Sequence, residues 1–161
     1  MLVLRWPAVV LAFAVTLVGL FTGYHLYEEY GVRRPLEQRV AASGLAEEVA
    51  WQKGQKEVVV RLRQVGDLKA AYSELEGAIG TRIVLQIADR PNAKLLACYR
   101  RVEPALYEAA ARDNFTALAE RVEREATRAG LNDWAVQVDG RRIYLALYHG
   151  DAYLYRVVPH R

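Results

Sequence analysis

Cysteine is the scarcest chemistry-bearing residue in this chain: Cys98 is the only one in 161 residues. One cysteine excludes an intrachain disulfide and any Cys-x-x-Cys zinc cluster, and its place beside Tyr99 and Val102 in a helical stretch suits a small buried hydrophobe. Histidine is nearly as scarce. His25, His149 and His160 fall in unrelated contexts, with no His-x-x-x-His or Glu-x-x-His spacing to hold a metal. Only Ser43 and Ser73 could serve as serine nucleophiles, and neither lies in a Gly-x-Ser-x-Gly elbow. No glycine-rich phosphate loop follows any predicted strand. These absences lead to the expectation of no catalytic residue, no metal and no cofactor.

Charge of one sign is also missing as a block. The formal charge is +3 and is built mostly from Arg, with Lys at positions 53, 56, 69 and 94 alone and acidic residues interleaved throughout. No basic run tracks phosphates, so nucleic-acid binding is not expected despite a sequence pI near 9.1. Glu74, Glu76, Glu120, Glu123 and Glu125 each have an Arg or Lys within a few positions or a place on a polar helix face, and are read as solvated.

What the chain has instead is one long hydrophobic run. Between Arg5 and Glu28 lie 22 residues with no acidic or basic side chain apart from His25, more than the roughly 20 needed to cross a bilayer core as a helix. Trp6 marks one end and Tyr24, Tyr27 and Tyr30 the other, as suits rings that prefer the headgroup level. Phe21-Thr22-Gly23-Tyr24-His25-Leu26-Tyr27 puts bulky groups where a signal-peptide cleavage site needs small ones, so an uncleaved signal anchor over 6–27 is expected. Residues 1–5 form a short tail and 28–35 a juxtamembrane linker. Ala8, Ala12, Thr16, Gly19 and Gly23 recur on one helical face and end in Gly-x-x-x-Gly, a candidate surface for helix association and homo-oligomerisation. The short tail favours an extracytoplasmic domain, and Arg33, Arg34 and Arg39 beyond the span argue the other way.

Residues 36–161 read as a small α+β domain. Pro35 can open a short helix over 36–43, and Val49 and Trp51, then Val58, Val60 and Leu62, alternate as a hairpin. Asp67 caps a helix with Leu68, Ala71, Tyr72, Leu75 and Ile79 on one face, closed by Gly80. Ile83, Leu85 and Ile87 form a strand. Leu95, Tyr99 and Val102 share a helical face that Glu103-Pro104 is expected to break or kink before Leu106, Ala109 and Ala110. After Asn114, a candidate cap, Phe115, Leu118, Ala119, Val122, Ala126 and Ala129 define a longer helix ending at Gly130. Strands over 133–138, 141–148 and 152–158 complete the order α-β-β-α-β-α-α-β-β-β, an antiparallel or mixed sheet packed by helices.

The domain divides at 36–88 and 93–161, and both halves hold a helix ending in Gly-Leu (Gly44-Leu45, Gly130-Leu131), a strand, a glycine turn (Gly54, Gly140) and a second strand, as two diverged αββ units would. The α-β-β-α-β order behind a membrane helix resembles, over residues 36 to 88 and in element order alone, the ring-building modules of sporulation and secretion assemblies.

The C-terminal hairpin carries Tyr144, Tyr148, Tyr153 and Tyr155, and both its faces are apolar enough to be covered. One reading packs a face of the hairpin on the domain's own helices and leaves a few tyrosines half exposed; the other, which bears on function, is a tyrosine-rich partner surface or an open sheet edge. The chain is therefore expected to be a non-enzymatic, single-pass membrane protein whose domain mediates protein–protein interaction or assembly at a bacterial-type envelope. A small-ligand or envelope-polymer sensor, with a pocket lined by Tyr, Trp51 or Trp134, is the alternative, and an enzyme a more distant one.

Overall fold

The computed structural model describes residues 16–22, 34–51, 57–80 and 83–160. Contacts divide the chain between Arg39 and Val40. Residues 16–22 are helical (α1), and Leu17, Val18, Leu20 and Phe21 on it are exposed. Among the described residues no helix is long and apolar enough to cross a membrane; most of the expected 6–27 span, with Ala8, Ala12 and Gly23 of the association face, lies outside them. Thr16 and Gly19 are the described members of that face.

The elements then follow in the expected order: α2 (Arg34–Ala42), β1 (Ala46–Trp51), β2 (Glu57–Leu62), α3 (Leu68–Ile79), β3 (Val84–Ala88), α4 (Ala93–Arg112), α5 (Phe115–Ala129), β4 (Asp133–Val138), β5 (Arg142–His149) and β6 (Ala152–Pro159). The strands form two three-stranded sheets rather than one. In the first, β1 pairs antiparallel with β2 and β2 parallel with β3; the second is an antiparallel meander of β4, β5 and β6. Arg90, just past β3, makes an antiparallel bridge to Tyr153 at the start of β6, with Arg90 N–H donating to Tyr153 O (3.2 Å) and Tyr153 N–H to Arg90 O (3.1 Å). The two sheets meet at that corner.

Local signals explain the helix ends. The Asp67 carboxylate accepts from Ala70 N–H at 2.8 Å and Asn92 Oδ1 accepts from Leu95 N–H at 3.0 Å, each satisfying a first-turn donor. Asn114 occupies the cap position of α5, but its side chain makes no cap hydrogen bond. Gly44 and Gly130 follow their helices with φ of 69° and 64°, a left-handed turn that costs glycine little. The two αββ stretches thus share a glycine-terminated helix and a hairpin, and they part at the third strand, parallel to its neighbour in one half and antiparallel in the other.

Pro104 does not break its helix: α4 runs unbroken through it. Proline removes one intrahelical bond, but Pro104 and Arg100, whose carbonyl it leaves unbonded, are both on the exposed side. Leu95, Cys98, Tyr99, Val102, Leu106 and Ala109 stay in phase across it and are buried. A fully buried Leu or Val contributes about 1.5–3 kcal/mol, so this continuous stripe outweighs the lost bond.

Two cores lie on either side of the second sheet. Ile143, Leu145, Leu147 and Leu154 face α4 and α5, with Trp134, Val136 and Val158 packed beside them. Tyr144, Ala146, Tyr148, Tyr153 and Tyr155 face the other way, onto Val58, Val60, Leu62 and Leu85 of the first sheet and Leu68, Tyr72, Leu75 and Ile79 of α3. The period-2 alternation of β5 thus serves two cores at once, which is why both its faces read as apolar.

Candidate functional site

The four hairpin tyrosines, expected as a partner surface, are instead interior: Tyr144, Tyr148, Tyr153 and Tyr155 are between 1% and 5% exposed. Their hydroxyls explain the position. At the end of β2 and in the link to α3, backbone pairing stops after Arg63 N–H to Leu45 O (2.9 Å), and a backbone group covered without a partner is costly. Tyr153 Oη donates to Leu62 O, Tyr148 Oη donates to Val65 O (2.5 Å), and Tyr155 Oη accepts from Val65 N–H (2.8 Å). Tyr144 Oη donates instead to Asp139 Oδ2 at 2.7 Å. Asp139 also caps the β4–β5 turn by accepting from Arg141 and Arg142 N–H (2.7 and 2.8 Å). The tyrosine hydroxyl and these two amides pull the Asp139 carboxyl down to about 2, and burial together with Asp139 pushes Tyr144 up to about 12.

Arg142 ties the same turn to α3, donating to both Glu76 oxygens (2.9 and 2.5 Å) while its guanidinium lies 4.9 Å from the Tyr72 ring centroid. Burial raises Tyr72, Tyr148, Tyr153 and Tyr155 as well. These groups form a polar lining between the two halves.

One open feature is the cleft where the two sheets separate. β3 is an edge of the first sheet and β6 an edge of the second, and among the described residues the bridge that joins these edges pairs Arg90, just past β3, with Tyr153. At the next step along β6, Asp89 takes over from backbone: its Oδ2 accepts from Tyr155 N–H (3.0 Å) and from Arg156 Nη1 (2.6 Å). Arg156 Nη1 also donates to Tyr155 O at 2.6 Å, and its guanidinium stands 4.8 Å from the Tyr99 ring centroid. Beyond this latch the strands diverge around a cleft of about 220 Å³, lined by Tyr72, Leu85, Gln86, Ile87, Tyr155, Arg156 and Val157. Because alternate residues of a strand turn their backbone groups to the same side, Val84, Gln86 and Ala88 present theirs on the Arg90 side, toward β6. Val84 is 61% exposed, an apolar side chain on an edge strand.

The remaining sequence candidates have structural places. His149 Nδ1 accepts from Asn92 Nδ2 (2.9 Å), joining the cap of α4 to the end of β5, with Lys94 Nζ 3.2 Å from Nε2. His160 Nε2 lies 2.7 Å from Asp139 O, and its ring meets Phe115 edge-on with centroids 5.0 Å apart. Cys98 is fully buried, and burial followed by the nearby Glu125 raises its thiol, the opposite of what a reactive thiolate needs. Trp134 packs on the helical core. Among the described residues no group of three His, Cys, Asp or Glu is placed to hold a metal.

Glu125 overturns its expectation. Read as solvated, it is 2% exposed, on the side of α5 that meets α4, with Arg101, Arg121 and Arg128 around it. The arginines at i−4 and i+3 that made it look like a surface residue are present, and the packing of α4 covers it.

No protein-family model, no curated protein and no solved structure matches this chain.

Proposed function

We propose that this chain is a single-pass, membrane-anchored, non-enzymatic protein whose α+β domain mediates protein–protein interaction or assembly at a bacterial-type envelope, the domain lying on the extracytoplasmic side. The observation that carries the reading is the parted pair of sheet edges. An edge strand with outward backbone groups is a template for pairing with another chain, and proteins usually blunt such edges with charge, proline or a covering element. Here β3 offers Val84 and Gln86 instead, above an open cleft. The exposed apolar side chains of the helical residues 16–22, within 22 residues that lack acidic and basic side chains, support the anchor.

Placing a charge on the edge tests this. Val84→Lys removes no buried contact, so the fold is retained while pairing at β3 is opposed. The full chain in detergent, measured by sedimentation and by crosslinking in membranes, is expected to lose its assembled species in this variant. Equal association of the variant and the parent, or a parent that stays monomeric with every envelope fraction supplied, would remove the edge as the interaction element.

A further inference from the structure

Glu125 is the one described residue whose buried side-chain oxygen, Oε2, has no hydrogen-bond partner. Three guanidiniums surround its carboxylate: Arg101 Nη1, from across the helix pair, lies 3.8 Å from Oε2, while Arg121 Nη2 from one turn before and Arg128 Nη1 from one turn after each lie 3.6 Å from Oε1. All three separations exceed a charge-assisted hydrogen bond, which runs to about 2.7–2.9 Å. None of these guanidiniums makes a hydrogen bond among the described residues, and their side chains are 42–65% exposed. One buried carboxylate therefore gathers three under-used cations, each with five donors and no acceptor, and the cluster keeps a surplus of positive charge.

The two deficits define a ligand. The guanidiniums make no hydrogen bond to the described residues and Oε2 has no protein donor, so a single group that engages both carries anionic oxygens together with an O–H. A metal cation is opposed by three arginines. A carboxylate or sulfate has no proton at neutral pH and would set a second bare oxygen against Oε2. Hydrogen phosphate meets both demands. The 3.8 Å between Oε2 and Arg101 Nη1 also lets a single oxygen, about 2.8 Å from each, bridge carboxylate and guanidinium. We propose that Arg101, Arg121 and Arg128 form a binding site for a phosphate group that keeps an O–H, with Glu125 Oε2 accepting the hydrogen bond from that O–H. The site lies on the α4–α5 pair and is independent of the β3 edge, so either proposal can fail alone.

The test uses the full chain in a phosphate-free detergent at neutral pH and constant ionic strength. Inorganic phosphate and sulfate are titrated in turn while the arginine Nε–Hε resonances are followed. Phosphate is expected to shift Arg101, Arg121 and Arg128 saturably and to bind about tenfold or more tightly than sulfate, the discrimination expected of one hydrogen bond to a charged group. Arg121→Gln and Arg128→Gln should each weaken phosphate severalfold, Arg112→Gln should leave it unchanged, and Glu125→Gln should bring the phosphate-to-sulfate ratio near one. A response to phosphatidic acid vesicles and not to phosphatidylglycerol vesicles would assign the group to a lipid headgroup; a response to inorganic phosphate alone would assign it to a soluble ligand. Equal shifts with phosphate and sulfate in the parent, shifts shared by Arg112, or no saturable shift below about 50 mM, where affinity is under about 2 kcal/mol, would each overturn the proposal.

Discussion

Replacing Tyr153 by Phe removes one oxygen and keeps the ring, so its effect reports whether the tyrosine layer holds the end of β2 and the link to α3 through its hydroxyls. Tyr153 Oη donates to Leu62 O, Tyr148 Oη to Val65 O, and Tyr155 Oη accepts from Val65 N–H. In Tyr153→Phe and Tyr155→Phe the partner backbone group stays in place and loses its bond, and in Tyr148→Phe Val65 O keeps only the long contact to Tyr155 Oη. An orphaned buried group costs about 1–3 kcal/mol, and no cavity opens because the ring volume is conserved. We expect Tyr148→Phe, Tyr153→Phe and Tyr155→Phe each to lose about 1–2 kcal/mol, or roughly 4 °C in Tm per kcal/mol for a domain of this size. Tyr148→Phe and Tyr155→Phe share Val65, and Tyr155 Oη also lies 3.5 Å from Val65 O; their double variant should depart from additivity by about 0.5 kcal/mol or more.

The assay is urea unfolding of the full chain in nonionic detergent, followed by tryptophan fluorescence. The midpoint should fall with the slope unchanged, because the surface exposed on unfolding is the same. Tyr107→Phe, on an exposed residue, is the control and should move stability by under about 0.5 kcal/mol. Three buried variants that all behave like Tyr107→Phe would refute the reasoning, and loss of association without loss of stability would return the tyrosines to a partner surface.

The same layer predicts the pH response. Folded tyrosines held above their ordinary value stabilise the protein fully below about pH 10 and lose that stabilisation as pH climbs toward 12; tyrosinate absorbance at 295 nm should rise together with loss of circular dichroism, and titration of the buried tyrosines at pH 10 in a folded protein would contradict it. On the acid side Asp139, held at about 2, stabilises above about pH 4 and ceases to as pH falls through 2, so Asp139→Asn should flatten the stability slope in that window. Pro104→Ala restores an N–H to the unbroken α4 and should stabilise by about 1–2 kcal/mol in thermal melts; destabilisation would mean that the proline is structurally required. Glu125→Met should be neutral or stabilising by up to about 2 kcal/mol in urea, since a buried carboxylate with partly exposed partners is weakly favourable at best; a loss above 2 kcal/mol would make the arginine cluster a stability element.

The parts of the fold that were legible are those written in neighbouring residues. Asp67 and Gly80 bracket α3, and alternation marks β4, β5 and β6 to within a residue of their ends, because capping and side-chain period are properties of a few consecutive positions. The candidate sites were hidden for the complementary reason. A tyrosine on β5 reads the same whether its hydroxyl meets solvent, a partner or Val65, and Glu125 with Arg121 and Arg128 at helical spacing has the pattern of a solvated face. The cleft left no local trace either, since it exists because β3 pairs parallel with β2 and joins β6 through the Arg90 bridge and the Asp89 side chain rather than through a continuous ladder.

By itself, then, the sequence determined the order and type of the elements and the uncharged run at the N-terminus, all of which follow from short-range periodicity and composition. The tertiary structure decided that there are two sheets, that β5 feeds two cores, that Pro104 is tolerated and that Glu125 is buried. Those outcomes depend on which distant surfaces meet. Packing energy accumulated across such contacts exceeds the roughly 1–3 kcal/mol by which a local preference can object.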